Sequence, residues 1–143
     1  MKLREIMSAP VVRIHPEENV MVAARTMEHY NIGAMPVCGN DGRLQGMITD
    51  RDIVTRCLAA GKNPSSTRVS DVMTAGIVAV RPDMDVTTAA ALMGSRQVRR
   101  LPVMENGRLC GMVSLGDLSQ KDESSIVAGD ALTEISSHLS SRD

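Results

Sequence analysis

The stretch Gly46-Met47-Ile48-Thr49-Asp50-Arg51-Asp52-Ile53 returns further along the chain as Gly111-Met112-Val113-Ser114-Leu115-Gly116-Asp117-Leu118. In both copies an apolar run ends in a hydroxyl residue followed, three positions on, by a carboxylate. Working outward, Gly42 and Leu44 match Gly107 and Leu109 at the same offset of about 65 residues. Met7, Pro16, Val20, Ala24, Met27 and Pro36 match Met73, Pro82, Val86, Ala90, Met93 and Pro102 at about 66. The change of register falls in a turn, where a duplicated structural unit tolerates the loss of one residue. The chain is therefore a tandem duplication.

Each copy runs through the same succession of patterns. Val11–Ile14 ends at His15-Pro16 and Ile77–Val80 at Arg81-Pro82, which predicts a short strand followed by a turn. Val20, Ala23, Ala24 and Met27 lie at helical spacing after Asn19, a capping residue, and Val86, Ala89, Ala90 and Met93 repeat that spacing after Asp85. Ala34–Cys38 and Arg43–Thr49 flank Asn40-Asp41-Gly42, and Arg100–Met104 and Arg108–Ser114 flank Asn106-Gly107, so two β-hairpins are expected. Ile53, Val54, Cys57 and Leu58 predict a helix stopping near Gly61, and Leu118 opens a shorter copy. The expected unit is strand, helix, strand, strand, helix. It holds too little apolar surface to stand alone comfortably, so the two copies are expected to pack together. The expected segments are a first domain at residues 1–62, a linker at 63–68, a second domain at 69–120 and a tail at 121–143. In the tail Ala128, Leu132, Ile135 and Leu139 can share one helical face.

Composition removes several classes of function. One Tyr and no Phe or Trp exclude an aromatic stacking platform for single-stranded nucleic acid. Sixteen Lys and Arg against 17 Asp and Glu give a formal charge of −1, whereas duplex binders carry a basic balance; no nucleic-acid partner is expected. No apolar run approaches the roughly 20 residues of a membrane span, and Met1-Lys2-Leu3-Arg4-Glu5 lacks the layout of a secretory signal, so a cytoplasmic protein is expected. Cys38, Cys57 and Cys110 match neither a disulfide framework nor a zinc pattern, and His15, His29 and His138 are scattered. No catalytic residue, metal site or required cofactor is assigned, and an enzyme is not expected.

The chemistry then rests on the repeated junction. Taken singly, Thr49 with Asp52 and Ser114 with Asp117 are capping boxes, which satisfy free amides at a helix start. The same junction is also an anion site, because the free amides and the helix dipole point at one spot. A carboxylate beside it is suited to accept both hydroxyls of a ribose, and the pair together describes a nucleotide. Arg51 reads as a surface residue of the first turn.

These residues carry a family resemblance. Asn31-Ile32-Gly33-Ala34-Met35-Pro36-Val37 with Gly46 to Ile53, and Gln97-Val98-Arg99-Arg100-Leu101-Pro102-Val103 with Gly111 to Leu118, resemble CBS domains, and the whole chain resembles a small stand-alone bacterial CBS-domain pair. The resemblance runs from about Leu3 to Gln120. It implies an α/β (α+β) fold of tandem CBS domains packed with pseudo-twofold symmetry, and clefts between the two domains that bind adenosine-containing ligands such as AMP, ADP, ATP, NAD or S-adenosylmethionine. Carried over, one cleft uses Thr49, Asp52, Gly33 and Ala34 with Thr74, Ile77 and Val98; the other uses Ser114, Asp117, Arg99 and Arg100 with Ser8, Val11, Val12 and Ile32. The implied function is a non-catalytic sensor with an adenine nucleotide as regulatory ligand, acting as a homodimer on a protein target supplied in trans. The alternative is a structural or interaction dimer whose clefts are vestigial. Arg99 and Arg100 replace Gly33 and Ala34, so the cleft at Ser114 is expected to prefer the more highly phosphorylated ligand.

Overall fold

Helix α1 (Val20–Tyr30) starts where the Asn19 side chain accepts a hydrogen bond from the Val22 amide at 2.9 Å. It ends at Asn31, whose left-handed backbone (φ 54°) turns the chain toward the hairpin β1 (Ala34–Cys38) and β2 (Leu44–Thr49). Thr49 leads directly into the short helix α2 (Asp50–Asp52), which continues as a π-helical stretch, Ile53–Leu58, followed by α3 (Val69–Val72). The second copy gives α4 (Val86–Arg96), the hairpin β3 (Arg100–Glu105) and β4 (Arg108–Ser114), and α5 (Leu115–Ser119). The structure is a computed structural model and describes residues 1–9, 11–119 and 135. Of the predicted tail helix only Ile135 lies among the described residues, where it is helical and buried.

Both hairpins are antiparallel and carry an irregularity at the same place, between Val37 and Cys38 and between Val103 and Met104. Positive φ at both Asn106 (54°) and Gly107 (76°) makes the second turn of the kind that matches strand twist. The strands predicted to open each copy shrink to one parallel bridge apiece, Ile14 to Val37 and Val80 to Val103. A proline follows two residues after each paired position and its ring cannot extend the ladder, so the β-branched runs there serve mainly to bury Ile14 and Val80. Asp85, at the position of Asn19, makes no side-chain cap; its carboxylate lies 3.5 Å from the amino group of Met1 instead.

The chain folds as two compact units, Val12–Ile77 and a second formed by Met1–Val11 with the chain from Val78 onward. Each boundary lies beyond the start of a sequence copy, so the leading segment of each copy joins the other unit. In the first unit Thr74 pairs with Met47 through two backbone bonds of 2.8 and 2.9 Å; in the second, Ser8 pairs with Met112 through bonds of 2.8 and 3.1 Å. Residues 63–68 fold into the first unit, with Thr67 buried and its hydroxyl donating to the Asn63 carbonyl at 2.7 Å. The core of the first unit gathers Val20, Ala23 and Met27 of α1, Met35, Val37 and Ile48 of the hairpin, and Ile53, Cys57, Val69 and Val72. Its counterpart gathers Val86, Ala89, Ala90 and Met93 of α4 with Leu101, Val103, Val113, Leu118 and Leu3.

Two glycines permit the added pairings. A Cβ on Gly46 would lie 2.5 Å from the Thr74 carbonyl oxygen, and one on Gly111 would lie 2.7 Å from the Met7 sulfur. The nearest obstacle at Gly46 is backbone, whereas at Gly111 it is a flexible side chain, with the Ser8 carbonyl oxygen next at 3.1 Å. Gly46→Ala is therefore expected to destabilise the protein by about 1–3 kcal/mol in urea unfolding, and Gly111→Ala by less. Equal losses would show that these close approaches do not govern packing there.

Candidate functional site

Where β2 ends, the Thr49 hydroxyl accepts a hydrogen bond from the Asp52 amide at 3.0 Å, and the Asp52 carboxylate accepts one from the Thr49 amide at 3.0 Å. Where β4 ends, the Ser114 hydroxyl accepts from the Asp117 amide at 3.1 Å and the Asp117 carboxylate from the Ser114 amide at 2.8 Å. Both capping boxes form, as the spacing requires. In each, one carboxylate oxygen, Oδ2, is held by the main chain.

The second oxygens differ in their surroundings. Oδ1 of Asp52, a buried residue, receives the Thr74 hydroxyl at 3.5 Å and stands 3.7 Å from Nε of Arg56. Arg56 also donates through Nη1 to the carbonyls of Met73 (3.1 Å) and Val72 (3.4 Å), bracing the segment that presents Thr74. Asp117 is half-buried, and its Oδ1 meets no partner among the described residues.

The remaining predicted residues divide between the two units. Ala34 sits opposite Thr49 in the hairpin register, and the Asp50 amide donates to the Gly33 carbonyl at 2.9 Å. The fold thus brings Gly33, Ala34, Thr49, Asp52 and Thr74 together in the first unit, with half-buried Ile77 ending it. Arg100 sits opposite Ser114, the Leu115 amide donates to the Arg99 carbonyl at 2.9 Å, and Ser8 is tied to Met112. Arg99, Arg100, Ser114 and Asp117 are therefore neighbours in the second unit, to which Ser8, Val11 and Val98 also belong. Val12 and Ile32 pack against the core of the first unit. Sequence reasoning missed Arg56, although its position four residues after Asp52 is the spacing at which an ion pair forms on a helix.

The three cysteines offer no ready nucleophile. Burial pushes the Cys38 thiol above its ordinary range against the pull of Arg13, and burial followed by Glu105 pushes Cys110 up. Cys57 is buried with its thiol 3.6 Å from the Lys62 carbonyl. Among the described residues no group of three or more His, Cys, Asp or Glu could hold a metal ion, and no helix is long and apolar enough to cross a membrane.

Comparison with known proteins agrees with this architecture. The family model described as the CBS domain matches twice, at residues 3–59 and 69–123. The CBS domain-containing protein YhcV of Bacillus subtilis is 40% identical over 134 residues, covering 94% of each chain. The crystal structure of Hypoxic Response Protein I with two coordinated zinc ions is 38% identical, with a TM-score of 0.78 over 84% of this chain and 98% of its own. The CBS domain pair of protein MJ0100, crystallised with 5′-methylthioadenosine and S-adenosyl-L-methionine, is 27% identical, with a TM-score of 0.76 over 84% of this chain and 94% of its own.

The unequal anchoring of the two carboxylates sets an order of stability. Asp52→Ala strips partners from the Thr49 amide, Thr74 and Arg56, and is expected to cost about 2 kcal/mol. Asp117→Ala removes one main-chain bond and is expected to cost about 1 kcal/mol. Urea unfolding of the two variants checks this, and the reverse order would contradict the anchoring described.

Proposed function

Because the chain belongs to the CBS-domain family and carries two such domains in tandem, we propose that it is a non-catalytic regulatory module binding adenosine-containing ligands at its two strand-to-helix junctions. The observation that carries this reading is the double occurrence of a hydroxyl and a carboxylate locked in one geometry, each at the end of a strand to which a segment from elsewhere in the sequence is bridged. A capping box needs only its own reciprocal bonds; it does not need Thr74 bridged to Met47 or Ser8 bridged to Met112.

In this reading Asp52 and Asp117 accept the ribose hydroxyls, since a carboxylate keeps lone pairs to spare beyond the amide bond at Asp117 and beyond the amide, Thr74 and Arg56 contacts at Asp52. Thr49 and Ser114, with the amides that follow them, face the 5′ substituent. The adenine lies among aliphatic side chains and backbone polar groups, because no Phe or Trp exists to stack on it. Arg99 and Arg100, both exposed and without an ion pair among the described residues, favour a phosphorylated ligand beside Ser114. The adenosine compounds bound to the CBS pair of MJ0100 support the ligand class. A ligand that prefers one of two conformations shifts their populations, and the response passes to a protein target in trans or to the protein's own homodimer.

Two measurements test the proposal. Mass spectrometry of small molecules released from the purified protein is expected to find an adenosine compound. Thermal unfolding with AMP, ADP, ATP, NAD or S-adenosylmethionine at a hundred times the dissociation constant is expected to show about 2.7 kcal/mol of added stability. That gain should vanish in the Asp52→Ala/Asp117→Ala double variant. No shift with any of these ligands would favour the alternative, a scaffold dimer whose capping boxes only cap.

A further inference from the structure

Away from both junctions, the first unit holds a cleft of about 550 Å³. Its walls are the loop before α1, the turn of the first hairpin with Gln45 beyond it, and the entry to α3. The Ser70 amide donates to the Pro16 carbonyl at 2.9 Å and the Val69 amide to the Glu18 carbonyl at 2.8 Å, so the loop and the entry to α3 are tied to each other. Ligand clefts of this size are ordinarily lined by apolar side chains. Here Pro16 is the one apolar side chain in the lining, and the cleft suits a ligand that is polar throughout.

The second unit shows what has changed. The bridge of Asn19 to Arg68 has its counterpart in the bridge of Asp85 to Lys2, and Pro16 corresponds to Pro82. His15 and Glu17 therefore stand where the second unit has Arg81 and Asp83, which neutralise each other at 3.3 Å. In the first unit that pair is gone. Glu17 and Arg68 both line the cleft, both are exposed, and neither has an ion pair among the described residues. His15 is half-buried and its Nδ1 accepts the Glu17 amide at 3.2 Å, so its ring proton is on Nε2, a donor. On the hairpin wall Gly39 takes the place of Glu105. A Cβ there would lie 2.9 Å from Gln45 Nε2 and 3.2 Å from Asp41 Oδ1, so its absence lets an amide and a carboxylate come together. Asp41 is already paired with Arg43 at 3.6 Å, which leaves Glu17 as the free anion of the cleft and Arg68 as its free cation.

This lining discriminates among ligand classes. A phosphate would meet the unpaired carboxylate of Glu17. Among the described residues no group of three or more His, Cys, Asp or Glu could hold a metal ion. A neutral sugar would take water from two charges and match neither. A zwitterion answers both, and a guanidinium pairs with a carboxylate through two parallel bonds. We propose that this cleft binds a free α-amino acid, its ammonium against Glu17 and its carboxylate against Arg68, with an amide or cationic side chain for the hairpin wall. His15 Nε2 and the Ser70 hydroxyl are the further donors to the carboxylate. The site lies within the first unit and does not rest on the ligand reading of the junctions.

Calorimetry on the full chain with asparagine, glutamine, lysine and arginine as probes tests this. At least one is expected to bind, and N-acetylating it or converting its α-carboxylate to the amide should each weaken binding by about tenfold or more, as should Glu17→Gln and Arg68→Gln. The losses should not add: Glu17→Gln is expected to erase the effect of acetylation, and Arg68→Gln that of amidation. Both side chains are exposed and unpaired, so both variants should fold, and the two derivatives test the wild type in any case. No binding of any probe, binding unchanged by acetylation and amidation, or derivative penalties that neither variant alters would each overturn the assignment.

Discussion

Everything at the two junctions depends on a pair of reciprocal hydrogen bonds. The amide of the last strand residue is held by a carboxylate one helical turn on, and the amide of that acid is held by the strand's hydroxyl, with all four distances between 2.8 and 3.1 Å. These bonds satisfy amides that a helix start leaves open. They also fix each carboxylate with one oxygen engaged by the main chain and the other left outside those bonds. A loop-borne acid would have to be ordered by its ligand; here the ordering cost is met in folding, which is the general basis of a preorganised site.

The surroundings of the two junctions then differ. Asp52 is braced by Thr74 and by Arg56, which also grips the carbonyls of Val72 and Met73, so the carboxylate, the helix that bears Arg56 and the segment Val72–Thr74 form one hydrogen-bonded assembly. Asp117 is held only by Ser114 and keeps an open oxygen among the described residues. With arginines at 99 and 100 where the first unit has Gly33 and Ala34, duplication followed by a few charge changes has separated the surroundings while leaving the backbone bonds alike.

Much of this was legible in the chain. The repeat, both helices with apolar faces, both hairpins and both capping boxes follow from spacing and turn residues, because each is a local pattern: Asn106-Gly107 needs positive φ twice and has it. The opening strands are shorter than their composition predicts. Val11–Ile14 and Ile77–Val80 have β-branched composition, yet among the described residues only Ile14 and Val80 of these runs find a bridge partner, since pairing depends on what lies opposite and not on propensity alone. The π-helical continuation from Ile53 to Leu58 has no signature in residue spacing. The crossing of leading segments into the other unit, Ser8 onto Met112 and Thr74 onto Met47, is long-range and leaves its trace in Gly46 and Gly111, where a side chain would block the approach. Among the site residues, the hydroxyls, acids and arginines were visible as types at fixed spacing, whereas the bracing by Arg56 emerges only once the helix and hairpin stand side by side.

The central claim is that the fixed carboxylates grip the ribose hydroxyls. A double-mutant cycle reads this directly, comparing the affinity of adenosine with that of its 2′,3′-dideoxy analogue for the wild type and for Asp52→Asn and Asp117→Asn. The account predicts that deleting the hydroxyls weakens binding to the wild type by about tenfold or more, and that the penalty shrinks once the acid at the occupied junction is replaced. An analogue penalty that is the same in all three proteins would contradict it.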